Sequence, residues 1–306
     1  MKKDDSSLPQ DSLFAVKKQA KKALEKAGVL GVFPTPVDQI LNAAEVILAP
    51  EAYFSEGMFN KFKQKFAGVA HLVKKALSKV VGLFDAVGRI IYVDITLHES
   101  KKKFLKLHET GHSFLPWQAK AYALIEDCEQ TLDPDIADQF DREANIFAKE
   151  VLFQCDSFSK EASDHKFSIK TPINLSKKYG ASIYSSIREY VRSHHRACTV
   201  LVLDMPVLME GKGFVSMLRR FESSSGFIEI FGQPQWPHTY SPDDPIGAML
   251  PIGKQRFSAP RNITLFDMNG AEHECIAEAF TQTYQVFVLI TPISILTSKS
   301  VIIPFF

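Results

Sequence analysis

The chain has 306 residues, of which 45% are hydrophobic and 23% are charged, and this composition is that of a soluble globular protein. Lys and Arg number 36 against 35 for Asp and Glu, so the chain is nearly neutral. Its overall charge therefore gives no reason to expect binding to nucleic acid or to a membrane surface. The length suits about two domains, at the usual size of roughly 150 residues each.

The N-terminus and the cysteines predict a cytoplasmic protein. The first nine residues contain no apolar stretch of the kind found in a secretory signal. The four cysteines show no Cys-x-x-Cys spacing, so we expect reduced thiols. The apolar stretch over 285–306 is interrupted by two prolines and Lys299, which leaves it too short for a membrane helix and predicts two buried strands instead.

The first eighty residues are predicted to be mainly helical. Residues 11–27 carry apolar side chains at helical spacing, with lysines away from that stripe, and Gly28 ends the pattern. After the break at Phe33-Pro-Thr-Pro36, helical patterns resume over 37–48 and again over 57–79. We expect these helices to pack on a core rather than to lie on a membrane.

A hairpin is predicted next. Residues 80–84 and 89–93 read as strands on either side of a turn. The second strand leads towards the next helix, and a strand beside a metal helix commonly offers its edge to an extended substrate. Residues 89–93 are therefore a candidate docking edge, with a purely scaffolding role as the alternative.

The strongest chemical signal is the pattern His-Glu-x-x-His at His108, Glu109 and His112. On a helix, residues four apart are neighbours, so both imidazoles can reach one metal ion. Glu109 lies one residue round the helix, where it can take a proton from water, as in zinc metalloproteases. The alternative is a chance match on a surface helix, but the apolar residues around the histidines favour a buried helix.

The helix predicted after Asp133-Pro134 offers a third metal ligand. Asp133 is a suitable N-cap, and proline is tolerated at the first helical position. One face of this helix carries a single charged residue, Glu143, and a buried carboxylate must be paired, protonated or bound to metal. The face consists of Ile136, Phe140, Glu143, Phe147 and Val151. We favour Glu143 as a zinc ligand, with a buried salt bridge as the alternative. The rival carboxylates are Glu126, Asp127 and Glu129.

The two helices together resemble those of the ImmA/IrrE family of bacterial metallopeptidases. Residues 103–112, Lys-Phe-Leu-Lys-Leu-His-Glu-Thr-Gly-His, are similar to the family's metal helix, and residues 141–148, Asp-Arg-Glu-Ala-Asn-Ile-Phe-Ala, to the helix that supplies its third zinc ligand. The resemblance covers roughly residues 11–200. It departs from the family at 113–117, where Ser-Phe-Leu-Pro-Trp replaces small apolar residues and a further histidine. It implies cleavage of a helix-turn-helix repressor at one place.

Residues 172–196 have the outline of a helix-turn-helix, with Gly180 in the turn and Ser182 as the cap of the second helix. Between Lys170 and Arg196, six basic residues stand against Glu189 alone. This local excess is the argument for DNA binding. A packing or substrate-docking role is at least as well supported, because the resembled family carries this segment as standard.

From Cys198 onward the pattern becomes rich in strands. Strands are predicted at Thr199–Leu203, Phe227–Phe231, Ala248–Pro251, Asn262–Phe266, Val286–Ile290 and Val301–Phe305, and a helix at Val215–Phe221. Such a domain could sense a ligand, gate the protease or only stabilise it.

These patterns predict an α+β protein in three parts: a zincin-like metallopeptidase domain over 1–168, a helix-turn-helix-like segment over 169–198, and a mixed C-terminal domain over 199–306. The predicted function is that of a zinc-dependent endopeptidase. One alternative is a DNA-binding regulator with a non-catalytic zinc, although such zinc usually has four protein ligands, often cysteine, and no cysteine lies near the motif. The other is a protease inhibited by its own C-terminal domain.

Overall fold

The computed structural model describes residues 7–49, 82–85, 89–93, 97–128, 133–211 and 213–293, with no side-chain description for 82–85 and 123–128. The chain divides into two compact units. One comprises Asp4–Phe158 and Ser176–Ser182, and the other comprises Met1–Lys3, Ser159–Leu175 and Ile183–Phe306. The predicted mixture of helices and strands, with a strand-rich C-terminal half, is confirmed. The boundaries predicted after 168 and 198 stay a prediction.

In its described residues, the first unit combines five helices with a small sheet. Its elements are α1 (Gln10–Lys26), α2 (Val37–Ala43), β1 (Ile47–Leu48), β2 (Gly82–Asp85), β3 (Ile90–Val93), α3 (Glu99–Phe114), α4 (Pro116–Cys128) and α5 (Pro134–Leu152). The predicted helix over 57–79 lies outside the described residues. The pattern over 37–48 ends earlier than predicted, because the backbone turns at Glu45, with φ of 56°, and enters β1.

The predicted hairpin is present, and its second strand, the candidate docking edge, is not at the edge of the small sheet where β1 pairs with it. β3 pairs antiparallel with β2, with Ile90 opposite Asp85, and parallel with β1, with Ile90 opposite Ile47. The strand order is β1-β3-β2, so β3 is central. In the described residues, β1 occupies the side of β3 opposite β2 at Ile90 and Ile91, so this part of β3 offers no free edge to an added strand.

Helices α3 and α5 pack closely because small residues face each other. A Cβ atom added to Gly111 of α3 would lie 3.3 Å from Cα of Ala144 and 3.1 Å from Cδ1 of Phe147, both on α5. Larger residues at 111 would push the helices apart. The start of α5 is as predicted, since the Asp133 side chain accepts a hydrogen bond from the backbone N–H of Asp135.

Gln154, just after α5, fastens the loop that follows α1. The side chain is buried. Its amide oxygen accepts a hydrogen bond from the backbone N–H of Gly31. Its amide nitrogen donates to the carbonyl oxygens of Val29 and Val32 and to the hydroxyl of Thr35. The sequence pattern gave no sign of this contact, because the partners lie more than a hundred residues away. The side chain ties two distant parts of the first unit together.

We expect Gln154→Ala to lower the free energy of unfolding by about 2–3 kcal/mol, since it leaves several buried polar groups without their partner. Thermal or urea unfolding followed by circular dichroism measures this change. Gln39→Ala is the matched control, because Gln39 is exposed on α2, and it should change stability by less than about 0.5 kcal/mol. Equal effects of the two variants would contradict the role of Gln154.

Two further helices, α6 (Ser157–Ser163) and α7 (Lys170–Tyr179), fall across the division between the units. The second unit is built on a seven-stranded sheet, whose main path runs β5-β6-β4-β10-β9-β8 with antiparallel neighbours, while β7 pairs with β6. Its other elements are α8 (Ile183–Ser193), β4 (Thr199–Asp204), β5 (Val207–Met209), β6 (Gly213–Ser223), α9 (Ser225–Phe231), β7 (Thr239–Tyr240), a 3₁₀ turn (Gly247–Met249), β8 (Arg261–Phe266), β9 (Glu272–Gln282) and β10 (Gln285–Pro292).

Three of the predicted C-terminal elements are wrong. The predicted helix at Val215–Phe221 lies in strand β6, and the predicted strand at Phe227–Phe231 lies in helix α9. Helix α9 forms because the Ser224 side chain caps its first turn by accepting from the N–H of Phe227. The predicted strand at Ala248–Pro251 is replaced by the 3₁₀ turn and an extended segment.

Strands predicted at Thr199–Leu203, Asn262–Phe266 and Val286–Ile290 are confirmed as β4, β8 and β10. The strand predicted at Val301–Phe305 lies outside the described residues. Within the described part of the chain, no helix is both long enough and apolar enough to cross a membrane.

Candidate metal centre

Three side chains of α3 form a buried cluster in the first unit. His108 and His112 stand one turn apart, and their Nε2 atoms are 3.3 Å from each other. Glu109 adds a carboxylate oxygen, and the ligating atoms of all three residues lie within 4.8 Å of one another. Each of the three is at most 9% exposed. The structure thus brings together the three residues of the predicted motif.

Helix α5 holds the ring of His108 through two residues. Oδ1 of Asn145 lies 3.0 Å from Nδ1 of His108, and Oδ1 of Asp141 lies 3.2 Å from Nε2. Asp141 and Asn145 are four residues apart and so share one face of the helix. Because the Asp141 side chain is 65% exposed, this side of the cluster is open to solvent.

Helix α4 holds the ring of His112 through Gln118. Oε1 of Gln118 lies 2.7 Å from Nδ1 of His112, while its amide nitrogen donates to the carbonyl oxygen of Phe140 at 3.1 Å and to Oε2 of Glu143 at 2.7 Å. These two acceptors fix the orientation of the amide. Nδ1 of His112 therefore carries the proton, and the lone pair of Nε2 points into the cluster.

Glu143 is buried, as its position on the apolar face predicted, but it is not a member of the cluster. Its side chain is 2% exposed, and its carboxylate accepts hydrogen bonds from Nε1 of Trp117 at 2.6 Å and from Nε2 of Gln139 at 3.0 Å, besides the one from Gln118. Three N–H donors thus satisfy the charge that the sequence analysis assigned to a metal. Glu143 reaches His112 only through Gln118.

A second carboxylate, that of Asp141, lies beside the cluster, with Oδ1 3.2 Å from Nε2 of His108. Asp141 was not among the carboxylates considered from the sequence, although Asp141 and Asn145 repeat the four-residue spacing of His108 and His112 on the facing helix. That spacing is the signal that could have found it. The rival carboxylates Glu126 and Asp127 have no described side chains, and Glu129 lies outside the described residues.

Burial and charge set the ionisation of the cluster. Burial lowers the pKa of His112 to about 4, with a further contribution from His108, and burial raises the pKa of Glu109 to about 7. For His108, burial lowers the pKa, but the hydrogen bond to Asp141 and the charge of Glu109 outweigh it and leave the pKa raised. For Asp141, burial raises the pKa, but the bond to His108 outweighs it and leaves the pKa lowered.

Tyr122 of α4 lies beside the cluster. Its ring meets His112 edge-on, with centroids 5.7 Å apart, and contacts Phe140 at 5.9 Å. Burial, with the charges of Asp141 and Glu109, raises the pKa of Tyr122 to about 12, so the phenol keeps its proton at neutral pH. Its hydroxyl makes no hydrogen bond to another residue of the described part of the chain.

The residues present fit a zinc ion. Nε2 of His108 lies 3.3 Å from Nε2 of His112 and 3.2 Å from Oδ1 of Asp141, and atoms with lone pairs at such distances need a cation or a shared proton between them. Two histidines and one carboxylate with an open side form the ligand set of catalytic zinc sites. His112 is neutral at pH 7, as a ligand must be.

The helix-turn-helix outline is present in α7 and α8, but its charges are partly neutralised. Nε of Arg188 donates to Oε1 of Glu222 at 2.7 Å, and Nη2 of Arg192 donates to Oε2 of the same residue at 2.9 Å. The α8 face with Ile187 and Val191 is buried. Two of the six basic residues behind the DNA-binding argument therefore serve packing within the second unit.

A helix with His-Glu-x-x-His, crossed by a second helix that bears a carboxylate and an asparagine, defines a metallopeptidase-type domain. Residues 61–185 match the model of a peptidase family described as the IrrE N-terminal-like domain. The resemblance inferred from the two helices is thereby confirmed, and the matched segment contains the whole cluster. This part of the chain is therefore similar to the IrrE N-terminal-like domain.

A Mycobacterium tuberculosis transcriptional regulator of known structure is similar in fold. The similarity covers 90% of this chain and 75% of that protein, with a TM-score of 0.50 and 10% sequence identity. At this identity the similarity concerns the fold alone. No curated protein matches the chain significantly.

Proposed function

We propose that the chain is a zinc-dependent endopeptidase whose metal is held by His108, His112 and Asp141. The observation that carries this proposal is the buried cluster of His108, Glu109 and His112 within the segment that matches a peptidase family. Asp141 replaces Glu143 as the proposed third ligand, since its carboxylate lies 3.2 Å from Nε2 of His108, whereas the carboxylate of Glu143 accepts from three N–H donors. When bound, zinc would polarise a peptide carbonyl and lower the pKa of water towards about 7.

Glu109 is the proposed general base. Its carboxylate takes the proton of the attacking water and passes it to the nitrogen of the leaving amine, so that one residue serves as base and then as acid. A pKa of about 7 suits both roles near neutral pH. A cation at the histidines would lower this pKa and keep the carboxylate ionised before the attack.

Asn145 and Gln118 orient the histidines, and Tyr122 provides a hydrogen-bond donor. The amide oxygens of Asn145 and Gln118 hold Nδ1 of His108 and of His112, which leaves each Nε2 free to bind the metal. As negative charge develops on the carbonyl oxygen, the Tyr122 hydroxyl can donate to it. The open side at Asp141 admits the substrate.

The proposed substrate is a helix-turn-helix transcriptional repressor, cut at one place so that its genes are derepressed. The support for this choice of substrate is the family resemblance. A second proposal is that the C-terminal unit inhibits the peptidase until a signal arrives. In that case the protein should bind zinc but cleave the repressor slowly unless an activator is added.

Incubation of the zinc-loaded protein with the repressor encoded beside its gene, followed by intact-mass analysis, tests the function. We expect two fragments whose masses sum to that of the repressor plus one water. A chelator should stop the reaction, and added zinc should restore it. An uncut repressor, or cleavage that survives the chelator, would contradict the proposal.

The metal stoichiometry gives a separate prediction. We expect about one zinc per chain in the wild type and none in His112→Ala, because two remaining ligands hold zinc poorly. Metal analysis of the dialysed proteins measures this. His165→Ala is the control, since His165 is exposed and outside the cluster, and stoichiometric zinc in His112→Ala would refute the ligand assignment.

A further inference from the structure

We propose that Glu143 is a positioning residue that fixes the tautomer of His112 by locking the amide of Gln118. The inference rests on the proposed function for its biological meaning, but it concerns a chain of hydrogen bonds that the structure defines by itself. That chain of hydrogen bonds, the relay, runs from the carboxylate of Glu143 to the amide of Gln118 and on to the imidazole of His112.

The first step is the orientation of the Gln118 amide. Gln118 is completely buried, and its nitrogen has two acceptors, Oε2 of Glu143 at 2.7 Å and the carbonyl oxygen of Phe140 at 3.1 Å. A turned-over amide would point its oxygen at these two acceptors and lose both hydrogen bonds. The amide is therefore held with Oε1 towards His112.

The second step is the tautomer of His112. Oε1 of Gln118 has no hydrogen to donate, so at 2.7 Å it requires a proton on Nδ1 of His112. The lone pair then remains on Nε2, the atom 3.3 Å from Nε2 of His108. The opposite tautomer would place a hydrogen where the metal must bind.

Position 143 needs a carboxylate because its oxygens must accept hydrogen bonds and donate none. Trp117 donates to Oε2 and Gln139 donates to Oε1, so the carboxylate is held at both oxygens before it accepts from Gln118. An ionised carboxylate can only accept, whereas an amide at the same place can donate as well. With glutamine at 143, the Gln118 amide could turn over and still find a partner.

Trp117, which helps to hold Glu143, lies in the stretch 113–117 where the chain departs from the resembled family. Trp117 and Gln118 are in the first turn of α4, directly after the metal helix. Together they connect the buried acid of α5 to the second histidine of the motif. Such outer contacts of metal-binding histidines typically change metal affinity by about 10–100-fold when they are removed.

The tautomer can be measured in the metal-free, full-length protein with nitrogen-15-labelled histidine. Long-range proton–nitrogen correlation spectra distinguish a ring protonated on Nδ1 from one protonated on Nε2, and the His112 signal is assigned by its loss in His112→Ala. We expect the Nδ1-protonated form in the wild type and a mixture in Glu143→Gln. Zinc affinity should fall by about 10–100-fold in that variant while zinc can still saturate the site.

Arg142→Gln is the matched control, because Arg142 is the neighbouring residue on α5, is partly exposed and pairs with Asp138. It should leave tautomer and affinity as in the wild type. Gln118→Met removes the amide but keeps a side chain of similar size, and it should reproduce the loss of zinc affinity. This variant replaces Glu143→Gln in the test if Glu143→Gln does not fold.

An unchanged His112 tautomer together with wild-type zinc affinity in Glu143→Gln would overturn the relay. Loss of zinc as complete as in His112→Ala would also overturn it, because Glu143 would then be a ligand. A wild type that binds zinc and shows the expected tautomer but cuts no repressor would refute the proposed function and leave the relay standing.

Discussion

Replacement of Glu109 by glutamine should reduce the cleavage rate by about 10²–10⁴-fold while zinc remains bound. The amide has nearly the size of the carboxylate and can still be buried, but it cannot take a proton from water. Initial rates of repressor cleavage, measured with equal amounts of zinc-loaded protein, give the effect. The loss should appear in kcat, since Glu109 acts on the reacting atoms.

The control for this variant is Glu99→Gln on the same helix. Glu99 lies in the first turn of α3, and its partner is Lys102. We expect wild-type rates and zinc content for Glu99→Gln. Full activity of Glu109→Gln would mean that the cluster is not a peptidase centre, whereas loss of zinc in this variant would move Glu109 from base to ligand.

Replacement of Asp141 by alanine should weaken zinc binding by more than the roughly 10–100-fold that is typical of outer contacts. The change removes the carboxylate 3.2 Å from Nε2 of His108 and leaves the histidines with their amide partners in place. Competition with a zinc-binding dye measures the affinity. In the metal-free protein we expect a modest loss of thermal stability, because the substitution also removes the bond between Asp141 and His108.

Asp138→Asn is the control for Asp141→Ala, since Asp138 is an exposed acid one turn away on α5 and pairs with Arg142. It should bind zinc as the wild type does. If Asp141→Ala kept wild-type affinity and Glu143→Ala lost the metal, the third ligand would be Glu143, as the sequence analysis predicted.

The metal helix was predictable because local spacing alone places His108 and His112 on one face. The burial of Glu143 was equally predictable from the apolar face of α5. Its partners were not, since burial demands that a charge be compensated but does not say by what. Trp117 and Gln118 are brought to Glu143 by the packing of α4, which no local pattern encodes.

In the second unit, the periodicity of apolar residues predicted the wrong secondary structure for two segments. Phe227-Ile-Glu-Ile-Phe231 alternates like a strand, but the Ser224 cap starts a helix, and Gly232, with φ of 69°, ends it. Conversely, Val215, Leu218 and Phe221 are spaced by three as in a helix, although they lie in strand β6 between β4 and β5. Pairing with neighbouring strands decided the outcome for this segment.

The role of the basic residues of α8 also could not be predicted from the local sequence. Counting charges from Lys170 to Arg196 suggested a nucleic-acid surface, but Glu222 lies on β6 and binds both Arg188 and Arg192. The ion pairs join residues about thirty positions apart, so the local count could not include the acid that neutralises them.

Zinc-edge anomalous scattering from crystals of the zinc-loaded protein tests the central claim most directly. We predict one strong peak at about 2.0–2.2 Å from Nε2 of His108, Nε2 of His112 and a carboxylate oxygen of Asp141, with the remaining position free of protein ligands and Glu109 close by. The absence of a peak at the histidines, or a zinc closed off by four protein ligands, would contradict the account of this cluster as a peptidase centre.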